Sequence, residues 1–159
     1  MKSAEHWLVH KHTQFEELFR LLHDAADISD WWAVDQYFTD MTAQLRYHMA
    51  QEEEVLFPAY DVKCKVLDRS SKVSTRDLCN EHSKFRDMFR ELEICIRNKD
   101  SECVIMLVAA LELLMAEHNE KEEYIFLPFA SRLLFEERDR LQEKLSKFVF
   151  TGTSRNMCQ

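Results

Sequence analysis

The sequence predicts an all-α fold: an up-down-up-down four-helix bundle with an internal two-fold duplication and a short C-terminal extra helix. Three observations carry this prediction. The 159 residues include one Gly and two Pro, while Leu, Glu, Ala, Arg, Lys and Met are plentiful, which suits long helices better than sheets. Apolar residues recur at alternating spacings of four and three in four separate stretches, the period of a helix with one buried stripe. One stretch is also written twice. His48-Met49-Ala50-Gln51-Glu52-Glu53-Glu54-Val55-Leu56-Phe57-Pro58 returns as His118-Asn119-Glu120-Lys121-Glu122-Glu123-Tyr124-Ile125-Phe126-Leu127-Pro128, each with His-x-x-x-Glu-Glu and a Pro ten positions after the His.

The first helix is expected from Ser3 to about Ala26, with Leu8, Phe15, Phe19 and Leu22 on one stripe and His12 filling its gap. Asp27-Ile28-Ser29-Asp30 then supplies capping residues for a second helix whose first turn carries Trp31 and Trp32. So short a link makes the two helices antiparallel neighbours. The second helix carries Val34, Phe38, Met41, Leu45, His48, Glu52 and Val55 without a fault in the spacing, so His48 and Glu52 belong to the core seam. Pro58 marks the expected end of regular helix. Asp61 to Ser74 has no sustained period and reads as a long connection, closed by a capping-box-like Ser74-Thr75-Arg76-Asp77.

The third helix repeats the first, with Leu78, His82, Phe85, Phe89, Leu92 and Ile96. Asn98-Lys99-Asp100-Ser101 is a stop and a restart. The fourth repeats the second, with Val104, Val108, Leu111, Met115, His118, Glu122 and Ile125. Leu134, Leu141, Leu145 and Phe148 suggest a shorter fifth helix, so that residues 1–150 form one domain and 151–159 a loose tail. Corresponding positions are all 70 apart, His12 with His82, His48 with His118, Glu52 with Glu122 and Pro58 with Pro128. A duplicated helical hairpin of this kind most simply builds a four-helix bundle with approximate two-fold symmetry.

Charge and composition exclude several classes. A net charge of −8 without basic clusters argues against a nucleic-acid partner. The longest apolar run, Cys103 to Leu111, is too short to span a membrane, and no signal peptide is evident. Five Cys without C-x-x-C spacing read as reduced thiols, and the protein as cytoplasmic.

The inward polar set is His12, His48, Glu52, His82, His118 and Glu122. A single His on an apolar face is more often a hydrogen-bonded core residue than a ligand, but six such groups without a cation would cost much of a typical stability of ~5–15 kcal/mol. Four imidazoles and two carboxylates carry a charge of about −2, which two metal ions balance, with an oxo or hydroxo bridge. Mixed nitrogen and oxygen ligands suit iron first and manganese second, with zinc as a further substitute. His6, His10 and His23 fall off the seam or far along it and read as non-ligands. Glu53 and Glu123 read as a solvated face, and Tyr47 and Tyr124 as unconnected to the site. Phe15, Phe19, Phe85, Phe89, Leu45 and Met115 form an apolar layer that would admit only small uncharged molecules.

These residues resemble the hemerythrin-like, or HHE cation-binding, family over roughly residues 3 to 130. The matching elements are a His on the first helix (His12), His-x-x-x-Glu on the second (His48, Glu52), a His on the third (His82) and His-x-x-x-Glu on the fourth (His118, Glu122). The resemblance implies a non-haem di-iron centre with Glu52 and Glu122 as bridges. It further implies a binding protein for dioxygen, nitric oxide or iron, acting in sensing, storage or transport, or else a di-iron enzyme acting on nitric oxide or peroxide. Oxygen carriers of the family have a fifth His where this chain has Arg86, which weighs against reversible dioxygen transport. Four-His, two-Glu centres are more similar to those of bacterial hemerythrin-like proteins, of repair-of-iron-centres proteins and of the iron-sensing domain attached to an F-box protein. The chain is expected to be a stand-alone domain, with a homodimer as one way of reporting what it binds.

Overall fold

With its single glycine at position 152, the chain makes its internal turns from other residues. The computed structural model describes residues 13–152 and shows how. Helix α1 (Thr13–Asp27) closes on Ser29, which takes the left-handed conformation at φ 57°. The Ser29 N–H bonds to the Ala26 carbonyl at 3.1 Å and the Asp30 N–H to the Ala25 carbonyl at 2.9 Å, the paired bonds of a Schellman closure. Asp30 then caps α2 (Trp31–Gln51), its Oδ1 accepting the Ala33 N–H at 3.1 Å.

The same turn joins α4 (Thr75–Arg97) to α5 (Ser101–Lys121). Lys99 has φ 51°, the Lys99 and Asp100 N–H groups bond to Ile96 and Cys95, each at 3.0 Å, and Asp100 Oδ1 accepts the Cys103 N–H at 3.0 Å. Before α4, the Ser74 hydroxyl accepts the Asp77 N–H at 3.1 Å while the Asp77 carboxylate accepts from Ser74, so the capping box forms as expected.

Among the described residues every regular element is helical, and no helix is long and apolar enough to cross a membrane. The chain divides into two compact units, to both of which α2, α4 and α5 contribute. The first comprises residues 13–46 and 81–119. Its expected stripes are buried: Phe15, Phe19 and Leu22 on α1, Val34, Met41 and Leu45 on α2, Phe85, Phe89 and Leu92 on α4, and Val104, Val108, Leu111 and Met115 on α5. The second comprises residues 47–80 and 120–152, centred on Phe126, whose ring meets Phe57 and Tyr60 at centroid distances of 5.4 and 4.8 Å.

In this second unit three expectations are corrected. Pro58 does not end the helix. A π-helical turn, Glu52–Leu56, continues directly into α3 (Phe57–Leu67), with Pro58 in its first turn. The wide turn relaxes the contact that a Pro ring makes with the carbonyl four residues back, here that of Glu54. The connection therefore shrinks to 68–74, entered through Asp68 at φ 49°. Phe57, Tyr60 and Cys64 form a short inward face on α3 that the surrounding lysines hide from a periodicity reading.

The seam also steps by one residue. Ile125 is 40 % exposed and Phe126 fully buried, and Leu56 is buried in preference to Val55, because each π turn contains one more residue than the α turn it replaces. The chain beyond Pro128 forms α6 (Leu127–Leu133), a 3₁₀ turn (Phe135–Glu137) and α7 (Arg138–Ser146). Two carbonyls at the end of α7 are satisfied by side chains, Leu145 O by the Gln51 amide at 3.2 Å and Phe148 O by the Tyr47 hydroxyl at 3.2 Å.

In the first unit the reading of all five cysteines as reduced thiols is corrected. Cys95 and Cys103 form a disulfide with Cα atoms 5.8 Å apart. The turn at Lys99 and Asp100 folds the end of α4 onto the start of α5 and brings two cysteines eight residues apart within bridging distance. A search for C-x-x-C spacing does not see such a pair, and cysteine usage no longer supports a cytoplasmic location.

Two outcomes follow for stability. Asp30→Ala and Asp100→Ala should each cost about 1 kcal/mol in urea unfolding, and the double variant should depart from the sum, because the two turns meet at the Ser29 and Ser101 hydroxyls, 3.2 Å apart. The Tyr60 hydroxyl accepts the Ser71 N–H at 2.7 Å, and burial, together with the Cys64 thiol beside it, pushes its pKa up to about 12. The neutral phenol is favoured in the fold, so its contribution is complete below about pH 10 and is lost as pH rises to about 12. The urea midpoint should fall across that window, and fall less in Tyr60→Phe.

Candidate metal centre

Each carboxylate of the repeated stretch opens a π-helical turn. Glu52 begins Glu52–Leu56 and Glu122 begins Glu122–Phe126, and the N–H groups of Phe57 and Leu127 bond to the Glu52 and Glu122 carbonyls, five residues back. Turns of this type recur at functional sites. Both side chains are withdrawn from solvent, Glu52 at 1 % exposure and Glu122 at 0 %. His48, one turn before Glu52 at the end of α2, places Nε2 3.2 Å from Glu52 Oε1, as the i,i+4 spacing predicts.

In the other unit the seam positions of α4 and α5 present His82 and His118, both buried. Their ring centroids are 5.0 Å apart with planes at 58°, and Phe85 meets the His118 ring edge to face at 5.2 Å and 90°. The Glu81 carboxylate lies 2.6 Å from His118 Nδ1. A carboxylate there favours the proton on Nδ1 and leaves the Nε2 lone pair for another partner. One ligand atom from each of Glu52, His82, His118 and Glu122 lies within 4.8 Å of the others.

Two carboxylates and two imidazoles at such separations, all buried, form a set that is expensive to desolvate and that a cation stabilises. Of the six residues expected at the site, the structure brings these four together and sets His48 against Glu52. His12 lies outside the described residues, as do His6 and His10. His23 is partly exposed, with Nδ1 3.4 Å from Asp24 Oδ1. Tyr124 is turned to solvent, and the Tyr47 hydroxyl is engaged by Phe148. The layer of Phe15, Phe19, Leu45, Phe85, Phe89 and Met115 is buried throughout.

One expectation fails at this site, and one residue was not foreseen. Glu53 is buried where a solvated face was expected, whereas Glu123 is exposed. The π turn by itself does not account for Glu53, since Glu123 stands at the same place in an equivalent turn and is exposed. Glu81 was missed altogether. It precedes His82 by one position and so lies about 100° off the seam. Its counterpart seventy residues earlier is Lys11, so the repeat contained no signal for it.

A family model described as the hemerythrin HHE cation binding domain matches residues 3–130 of the chain. No curated protein and no solved structure gives a match. The matched region contains both copies of the repeated stretch and ends before α7.

Glu81 provides the most direct test of the geometry. Removing the carboxylate in Glu81→Ala should lower metal affinity by about 10–100-fold in competition with a chelator. Unchanged affinity would show that His118 needs no orienting partner.

Proposed function

Because the chain belongs to the hemerythrin HHE cation-binding domain family, we propose that its buried His/Glu cluster is the heart of a non-haem iron-pair site. We further propose that the protein binds a small uncharged molecule there. The imidazoles of His12, His48, His82 and His118 and the carboxylates of Glu52 and Glu122 would hold the ions. The donor set fits: nitrogen and oxygen ligands in comparable number suit iron, with manganese or zinc as substitutes, and the paired carboxylates contribute the negative charge that two cations offset. An iron pair, when bound, supplies a redox-active acceptor for dioxygen or nitric oxide.

The protein's own side chains do the rest. Glu81 holds the proton of His118 on Nδ1 and fixes the ring. Phe85, edge-on to His118, belongs to a buried apolar layer that excludes water and charged solutes from that side. On the same reading the long helices α1, α2, α4 and α5 form an up-down-up-down bundle built on a duplicated hairpin. Two features support this, the equal 21-residue lengths of α2 and α5 and the recurrence of turn, cap and π segment at the same interval.

The observation that carries the proposal is the gathering of Glu52, His82, His118 and Glu122 within 4.8 Å in the interior. Native protein should contain about two iron atoms per chain by elemental analysis, the number that six ligands of this kind can hold. His48→Ala, His82→Ala and Glu122→Ala should each lose more than about half of the iron and unfold at lower temperature. Zinc alone in the native protein, or full iron retention in all three variants, would remove the basis of the proposal. After anaerobic reduction, nitric oxide or dioxygen should change the visible spectrum stoichiometrically and reversibly. Sustained consumption of nitric oxide or peroxide would mean an enzyme instead.

A further inference from the structure

Helices α2 and α5 have equal lengths, follow the same turn and Asp cap, and lead into the same π segment. Positions seventy apart on them therefore meet the same demands from the fold. On their inner sides they agree, with Val34, Met41 and Leu45 buried on one and Val104, Leu111 and Met115 buried on the other. On their outer sides they differ. Along one exposed strip α2 carries Gln36, Thr39, Asp40 and Ala43, and the matching exposed positions of α5 are Met106, Ala109, Ala110 and Leu113. Met106 is 71 % exposed and Leu113 64 %. Polar residues and one alanine satisfy the fold at these positions, as α2 demonstrates, so the large apolar side chains on α5 serve something other than the core.

The spacing makes these four residues one continuous strip along about two turns of helix. Ala109 and Ala110 in the middle allow close approach of another backbone, and Met106 and Leu113 are the large contact residues on either side. The surround is acidic. Exposed Glu102 lies one turn before Met106 and exposed Glu117 one turn after Leu113, and α5 has no Lys or Arg before Lys121. We propose that this face docks an amphipathic helix of another protein whose apolar stripe is flanked by Lys or Arg. A second copy of the chain is the poorer occupant, since it would set Glu102 and Glu117 against their own kind and join two molecules of net charge −8.

The probe is a fluorescein-labelled Leu/Lys amphipathic peptide of about 18 residues, long enough to cover the strip, titrated with the full chain and followed by anisotropy. Giving α5 the residues of α2, in Met106→Gln/Leu113→Ala, should weaken binding by about tenfold or more. Ala109→Lys, which sets a bulky cation against the peptide lysines, should do the same, so that a folding defect in one variant leaves the other to decide. Glu102→Gln/Glu117→Gln should weaken binding several-fold and flatten its salt dependence. Gln36→Ala/Thr39→Ala on α2 should change nothing. The proposal is overturned if the peptide binds Met106→Gln/Leu113→Ala and Ala109→Lys as it binds the wild type, or if the α2 variant loses binding equally. It is overturned too if sedimentation shows a wild-type dimer that Met106→Gln/Leu113→Ala abolishes.

Discussion

Two carboxylates without access to water are the constraint on which the rest of this molecule depends. Glu52 and Glu122 are as buried as the leucines around them, and a carboxylate in such surroundings is destabilising by several kcal/mol unless its charge is offset. Imidazoles at His82 and His118 set nitrogen partners of matching chemistry beside them. The stability of the apolar seams and the presence of a cation are thus coupled. Residues that a folding argument alone would make apolar are polar here, and they are polar on both copies of the repeated stretch.

The two π turns serve this constraint locally. A straight α-helix would bring Val55 and Ile125 inward after each carboxylate, and the wide turn brings Leu56 and Phe126 instead. The chain then passes its proline without breaking, so Phe57 and Leu127 begin new helices in the same run. The second unit owes its aromatic centre to this shift, since Phe57 and Phe126 meet at 5.4 Å only because both have turned inward.

Much of this was legible in the sequence, for a physical reason. Each seam residue has to satisfy the same helical period, and His82, His118, Glu52 and Glu122 stand at positions where any other explanation of a polar side chain is costly. The caps at Asp30, Ser74 and Asp100 were readable because capping depends on one or two adjacent side chains. What was not legible involves relations that a period does not encode. A π turn changes the period itself. Glu81 acts from a position off the seam and without a counterpart in the repeat. Cys95 and Cys103 meet through a turn, and the inward face of α3 is only three residues long.

The π turns also say which changes of length the chain can tolerate. Deleting one residue from a π turn would let the helix revert to α with its later face still inward, whereas straightening the turn at full length would rotate everything after it by about 100° relative to the seam before it. The Tyr60 and Cys64 face would then leave the core while His48 stayed in place. An insertion of one residue in the 68–74 connection would be absorbed with little consequence. The interval of ten residues from His to Pro, identical in both copies, is in this sense one residue longer than an α-helix joining the same two faces would need, and the π turn is where the surplus is stored.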